Sequence, residues 1–261
     1  MANRPKPVPQ MTAGQFESRF PEGDDEACLR YLVARRWPEG VTCPRCGNKD
    51  LYDASSYKPF HWQCRECAPQ GYRFSCLAGT IFENTKKPLR DWYRVAHYMF
   101  SSKKGVSALQ IQHMMGFGSY ETAHSMCHKI RAALIQPETK LGGIVEVDET
   151  FVGGKAKNRH YSKGRGGPGR GGLGSGKVPV VGAVERQGNV VARVIKSVSR
   201  DILSQFVTET VSGFWSIFRR GVVGTFHKVS AKYLPLYVAE FQFRYNNRFN
   251  PDMFGTAIAG C

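Results

Sequence analysis

Four cysteines stand as two tight pairs, Cys43-Pro-Arg-Cys46 and Cys64-Arg-Glu-Cys67, with 17 residues between them. Two residues between paired thiolates let one tight knuckle present both sulfurs to a single ion, and an intervening hairpin returns the second pair. That spacing predicts a structural four-cysteine zinc site. Four thiolate ligands leave no open coordination position, so zinc chemistry on a substrate is excluded there. A module of this size has little apolar core, and the metal supplies much of its folding free energy. Cys28, Cys76, Cys127 and Cys261 lack such spacing and read as ordinary core or terminal residues. Arg45, Lys49, Lys58, Phe60, His61, Trp62, Arg65, Tyr72 and Arg73 surround the cysteines. They form either a nucleic-acid surface or a solvated basic face that holds domains together.

A second candidate lies in Ile144-Val-Glu-Val-Asp-Glu-Thr-Phe-Val152. Alternation predicts a strand with Glu146 and Asp148 on one face and Val145 and Val147 entering the core, while Glu149 points the other way. A carboxylate on a central strand is costly unless it is solvated or holds metal. The segment 153–177 follows directly, with ten Gly, seven Lys or Arg and no acid, and reads as a mobile basic loop. Acids followed by such a loop suit metal-assisted chemistry on a phosphodiester; an acidic strand end facing solvent is the plainer alternative.

The elements that position these groups follow from periodicity. Asp24 to Leu32 predicts a helix ending before Pro38-Glu39-Gly40. From Pro88 onward the period is helical, with Trp92, Val95, Ala96, Met99 and Phe100 on one face. A short helix from Ser107, a break at Gly116-Phe-Gly118 and a longer helix from Tyr120 to Leu134 follow the plan of a helix-turn-helix. Tyr120, Glu121, His124, His128, Lys129 and Arg131 are expected on its exposed side, and Lys103 and Lys104 in the preceding turn are placed for phosphates. Val178–Val184 and Val190–Ile195 predict two more strands joined by a hairpin-like turn at Gln187-Gly188-Asn189. Pro179 puts the start of its strand at an edge or near its first residues. Two helices follow, one around Phe214 to Arg220 and one over about Ala231 to Tyr245. Lys228, Lys232, Arg244 and Arg248 edge their apolar patch and are candidates for backbone phosphates, and His227 reads as structural.

The whole chain sets the partner class. It has 261 residues, 41% hydrophobic and 22% charged, which excludes a disordered chain. Thirty-seven Lys and Arg against 21 Asp and Glu give a formal charge of +16. Such a surface repels itself unless a polyanion offsets it, so nucleic acid leads and an anionic membrane follows. No apolar run is long enough to span a bilayer, and the first residues lack a signal sequence, so the expectation is a cytoplasmic protein without a membrane partner.

Taken together, these blocks resemble the zinc-ribbon DDE transposases of bacterial insertion sequences. Cys43–Cys67 is joined by Leu77-Ala-Gly-Thr-Ile-Phe, Pro88-Leu-Arg-Asp-Trp, Met99-Phe-Ser-Ser-Lys-Lys-Gly, Val145–Lys155, Gly213-Phe-Trp-Ser216, Arg219–His227 and Glu240-Phe-Gln-Phe-Arg-Tyr-Asn-Asn-Arg248, covering about residues 20–250. The resemblance implies an α/β fold: a helical segment over 1–40, a zinc ribbon over 41–82, a helix-turn-helix-like DNA-binding region over 88–136, and an RNase H-like domain over 142–250. It implies cleavage of double-stranded DNA at element ends and joining to a target, by a homo-oligomer on DNA, with two Mg²⁺ or Mn²⁺ ions held by three acids. Asp148 matches the first of those acids. The second is missing, because only 17 residues separate Ser197 from Trp215 where relatives carry a helix, a strand and their loops. An internal loss is inferred. Ser212 stands where the third acid belongs, and Glu209, three residues earlier, is the candidate substitute. Asp201 follows Ser199-Arg200 and reads as a helix cap. Lys129, Arg131, Lys155, Lys157, Arg159, Lys163, Arg165, Arg170, Arg219 and Arg220 join Lys103 and Lys104 as expected DNA contacts. The expectation is a transposase by descent with impaired chemistry. The alternative is a non-enzymatic zinc-ribbon DNA-binding protein derived from one.

Overall fold

The computed structural model describes residues 10–67, 69–102, 104–136, 141, 145–153, 177–185, 188–199, 201–203, 206, 226 and 229–261. They form a mixed α/β protein of two compact units. One comprises the described residues of 10–101, 108–133 and 250–261; the other comprises those of 102–107 and 134–249.

The first unit begins with α1 (Ala13–Arg19), whose capping box the sequence reading missed. Thr12 Oγ1 accepts from Gln15 N at 3.2 Å and Gln15 Oε1 accepts from Thr12 N at 2.8 Å. Helix α2 (Asp25–Arg36) starts at Asp24, whose carboxylate accepts from Ala27 N at 2.9 Å. It stops at Trp37, before Pro38. The strands β1 (Leu51–Asp53), β2 (His61–Cys64) and β3 (Tyr72–Ser75) form an antiparallel meander over Trp37, Trp62 and Phe74. Helices α3 (Leu89–Ser101), α4 (Ala108–Met115) and α5 (Tyr120–Ala133) follow. Trp92, Val95, Ala96, Met99 and Phe100 are all buried, as their spacing predicts. A last helix, here α7 (Met253–Ala259), belongs to this unit and was not anticipated. Its Phe254 lies 5.7 Å from Tyr93, 6.0 Å from Phe20 and 6.4 Å from Phe16 between ring centroids. Burying such rings is worth about 1.5–3 kcal/mol each, which offsets the poor autonomy of a seven-residue helix.

The second unit is built on the antiparallel sheet β4 (Val145–Val152), β5 (Val178–Glu185) and β6 (Val190–Val194), in the order β4-β5-β6. Register pairs Asp148 with Gly182 and Gly182 with Ala192. On that face Val152, Val180, Val184, Val190 and Ala192 pack under α6 (Leu234–Asn246), against Leu234, Val238 and Phe241. On the other face Val181, Ala183 and Val191 meet Leu203 and Phe206. Among the described residues β4 is an edge strand. One expectation is corrected here. Val147 does not enter the core but is 41% exposed, because the described packing beneath its face lies under β5 and β6. Pro179, the second residue of central β5, sits near the strand start and not at an edge.

Two side-chain amides of α6 occupy the outer edge of β6. Asn246 Oδ1 accepts from Val190 N at 2.7 Å, and its Nδ2 donates to Val190 O at 3.1 Å. One turn earlier, Gln242 Oε1 accepts from Ala192 N at 3.0 Å. These bonds satisfy edge groups that would otherwise template pairing with another chain.

Candidate metal centre and acidic strand

Backbone turns aim the four thiols. Cys43 N donates to Asn48 O at 2.9 Å and Gly47 N to Cys43 O at 2.8 Å, closing the first knuckle; Gly47 takes φ 74°, where a side chain would be strained. Cys64 ends β2, and Cys67 follows one short turn later. The sulfurs stand at 3.7 Å (Cys43–Cys67), 3.6 Å (Cys46–Cys64) and 3.5 Å (Cys46–Cys67). A tetrahedron with Zn–S bonds of about 2.3 Å has edges of about 3.8 Å, so the group is already near the size the ion needs. All four ligand atoms lie within 4.8 Å of one another, and no other such cluster of acids, His or Cys exists among the described residues.

The electrostatics fit a dication. Burial raises the Cys43 thiol, but hydrogen bonds from the N–H groups of Cys46 and Arg45 and from the Cys46 and Cys67 thiols together bring it down to about 7. The Cys46 thiol beside it, and then burial, push Cys67 up to about 12, and burial raises Cys64. Four thiolates this close repel one another until a cation neutralises them. Outside the cluster, burial pushes Cys28 up to about 12 and Cys76 up to about 11, as for inert core thiols.

The ribbon surface is aromatic and basic in pairs. Arg45 lies 3.7 Å over the Tyr72 ring and Arg65 lies 5.6 Å over Tyr52, which is 52% exposed. Trp62 is half-buried and packs 5.8 Å from Trp37 and 6.0 Å from Phe74.

The helical pair α4–α5 has the expected break, with Gly116 at φ 66° and Ser119 Oγ accepting from Glu121 N at 3.1 Å. Its exposed side differs from expectation. Glu121, Ser125 and Lys129 face solvent, whereas Arg131 is 1% exposed and His128 is 8% exposed. At 3.6 residues per turn Arg131 lies about 120° round the helix from the middle of the face that Glu121, Ser125 and Lys129 share, which takes it off the exposed side. Burial, then the charge of Arg131, push His128 down to about 4. Lys104 is exposed in its turn, while Lys103 lies outside the described residues.

Asp148 is exposed, and its Oδ1 accepts from Glu149 N at 2.9 Å. Its register neighbour Gly182 brings no side chain against it. Asp201 does not join it. The helical turn carrying Asp201 leads into Leu203 and Phe206, which pack on the sheet face opposite Asp148. Nor is Asp201 the cap: Ser199 Oγ accepts from Ile202 N at 3.3 Å, placing Asp201 inside the first turn. Mg²⁺ requires several oxygen ligands in near-octahedral array, and Asp148 alone among the described residues does not fit one. Glu146 shares the Asp148 face by register, paired with Val184. Glu209 and Ser212 lie outside the described residues, as do Lys155, Lys157, Arg159, Lys163, Arg165, Arg170, Arg219, Arg220, His227 and Lys228.

Two expected phosphate contacts have structural roles instead. Arg244 pairs with the fully buried Glu240 at 3.4 Å and donates to Ser102 O. Arg248 lies 4.1 Å over Tyr245 and 4.4 Å over Phe249, and donates to Gly188 O at 2.9 Å.

Residues 23–70 match the transposase zinc-ribbon domain, and residues 140–213 and 206–246 match the ISXO2-like transposase domain. The chain belongs to the zinc-ribbon transposases of this group. A protein described as an uncharacterized protein in transposable element ISH50, from Halobacterium salinarum, is 29% identical over 168 residues. The match covers 62% of this chain and 55% of the relative, so the chain spans about half of that protein's length. That relative is archaeal, so this match does not support the bacterial setting expected from sequence. No solved structure matches the chain. Among the described residues no helix is long and apolar enough to cross a membrane.

Proposed function

We propose that this chain is an insertion-sequence transposase that retains DNA binding and has lost efficient strand cleavage and transfer. The observation that carries the reading is the isolation of Asp148. Among the described residues no group of three metal-ligating side chains includes Asp148, and Asp201, further along the chain, stands on a turn packed against the opposite face. The two separate stretches in which the transposase domain matches, 140–213 and 206–246, support an internal loss between them. In this reading the β4–β6 sheet is the remaining part of an RNase H-like domain. The zinc ribbon, the α4–α5 pair and the Gly-rich basic segment supply DNA affinity, and the charge of +16 sets its strength.

The test uses the purified full chain, zinc-loaded, with a labelled duplex carrying the ends of its own element, in Mg²⁺ and then Mn²⁺. Binding without nicking or joining is the expected result. Metal-dependent cleavage that disappears in Asp148→Ala would overturn the loss of chemistry and direct attention to Glu209. Failure to bind duplex DNA at low salt would overturn the reading as a whole.

A further inference from the structure

The structure holds a pair of metal-ligating side chains that neither the zinc ribbon nor the acidic strand explains. His124 and His128 are four residues apart on α5, one turn above the other. Their Nε2 atoms stand 3.0 Å apart and their ring centroids 4.2 Å apart. The Tyr120 ring, a further turn toward the N-terminus, lies 5.5 Å from His124. Two imidazoles that converge through the same nitrogen form a bidentate chelate. Each supplies an Nε2 lone pair when its proton rests on Nδ1.

We propose that His124 and His128 form an exchangeable site for a divalent transition ion, separate from the zinc of the ribbon. Bonds of about 2.0–2.1 Å to nitrogens at this separation subtend roughly 95° at the ion, close to the cis angle of a square or octahedral centre. Ni²⁺ and Cu²⁺ take that angle readily. Tetrahedral Zn²⁺ requires the rings to part by about 0.3 Å. Imidazole nitrogen suits all three ions, and the general affinity order favours nickel and copper over magnesium or manganese, so the site is not a disguised catalytic one. No third His, Cys, Asp or Glu completes a cluster here among the described residues, so two imidazoles are the protein ligands the proposal names, and two ligands hold an ion less firmly than the four thiolates of the ribbon. His124 is half-buried and flanked by exposed Glu121 and Ser125, which gives the ion its approach from solvent. Once bound, the ion ties two successive turns of α5 and adds positive charge beside exposed Lys129. This site does not depend on the proposed loss of catalysis.

The test is calorimetric titration of Ni²⁺ into the untagged, zinc-loaded full chain, with zinc content measured before and after. Uptake of one nickel per chain with zinc retained is expected, together with a rise in melting temperature. His124→Ala, at a half-buried position, is expected to melt as the parent does without nickel and to lose both the uptake and the rise. His128→Gln should lose the uptake too, whereas His113→Ala, on the exposed side of α4, should keep it. Nickel uptake unchanged in His124→Ala, or no uptake by the parent chain at millimolar nickel, overturns the proposal.

Discussion

At the scale of single residues, the thiols and Asp148 show opposite ways of holding a reactive group. The thiols are over-determined: two knuckles and the end of β2 bring them within one ion's reach, and Cys64 is completely buried. Replacing Cys64 with Ser should therefore abolish zinc uptake and unfold the ribbon, since zinc affinity in such modules is itself folding free energy, about 10–16 kcal/mol in isolated peptides. Metal analysis together with Trp37 and Trp62 fluorescence reads this out; a variant that keeps stoichiometric zinc contradicts it. A strong chelator should reproduce the effect on the parent chain. Asp148 is the reverse case, an exposed carboxylate bonded to the next backbone N–H. Asp148→Ala should change stability by no more than about 0.5 kcal/mol, as exposed substitutions do. A larger loss in a denaturant melt would show that the carboxylate has a buried partner. The thiol site was legible in sequence through spacing alone. The proposed isolation of Asp148 rests in sequence on a shortage of residues between Ser197 and Trp215; which face Asp201 occupies required the packing of Leu203 and Phe206.

At the scale of elements, the described part of the β-sheet has two unlike edges. Asn246 makes two hydrogen bonds to Val190 and a third to Gln136 Oε1 at 2.9 Å, so it holds the β6 edge from α6. Asn246→Ala should cost about 1–3 kcal/mol through the unmet backbone groups and promote strand-to-strand association. Lower midpoints in urea with concentration-dependent light scattering are the expected signs, and an unchanged midpoint would refute the clamp. Gly105 is the second fragile point. It takes φ 82°, and an added Cβ would stand 2.9 Å from Phe226 and 3.2 Å from Glu240 Oε1. Gly105→Ala should destabilise by more than about 1 kcal/mol, from backbone strain and from pressure on the buried Glu240–Arg244 pair; a midpoint equal to the parent's would count against it. Most element boundaries followed from period and caps, as in α3 and α5. Helix α1 escaped notice although Thr12 and Gln15 carry its capping signal. Helix α7 is too short for periodicity to reveal, and what orders it is the aromatic cluster around Phe254, assembled from distant parts of the chain. The exposed face of α5 was misread because polar Arg131 and His128 point inward, which composition does not disclose.

At the scale of the whole molecule, the charge of +16 and the proposed loss of the acids that would partner Asp148 pull affinity and chemistry apart. Cations bind DNA by releasing condensed counterions, so the logarithm of affinity falls linearly with the logarithm of salt, with a slope of about −0.9 for each phosphate neutralised. A surface engaging about six phosphates loses roughly a thousandfold in affinity between about 50 and 200 mM salt. Fluorescence anisotropy with a labelled duplex should give a slope at least that steep. The Asp148→Ala variant should superimpose on it, since its carboxylate opposes binding if it acts at all. Replacing Lys155, Lys157, Arg159, Lys163, Arg165 and Arg170 together should flatten the slope by up to about six times 0.9, and a slope that does not move would show that the basic Gly-rich segment stays off the DNA. Chelating zinc separates the contributions further. If the ribbon only joins neighbouring segments, affinity at fixed salt changes little; if Arg45, Arg65 and the exposed Tyr52 touch DNA, affinity and slope fall together as the ribbon unfolds. The arginines held over the half-buried Tyr72 and the exposed Tyr52 favour the second outcome, because a flat guanidinium held over an aromatic face is already ordered for a phosphate or a base and gives up little entropy on binding.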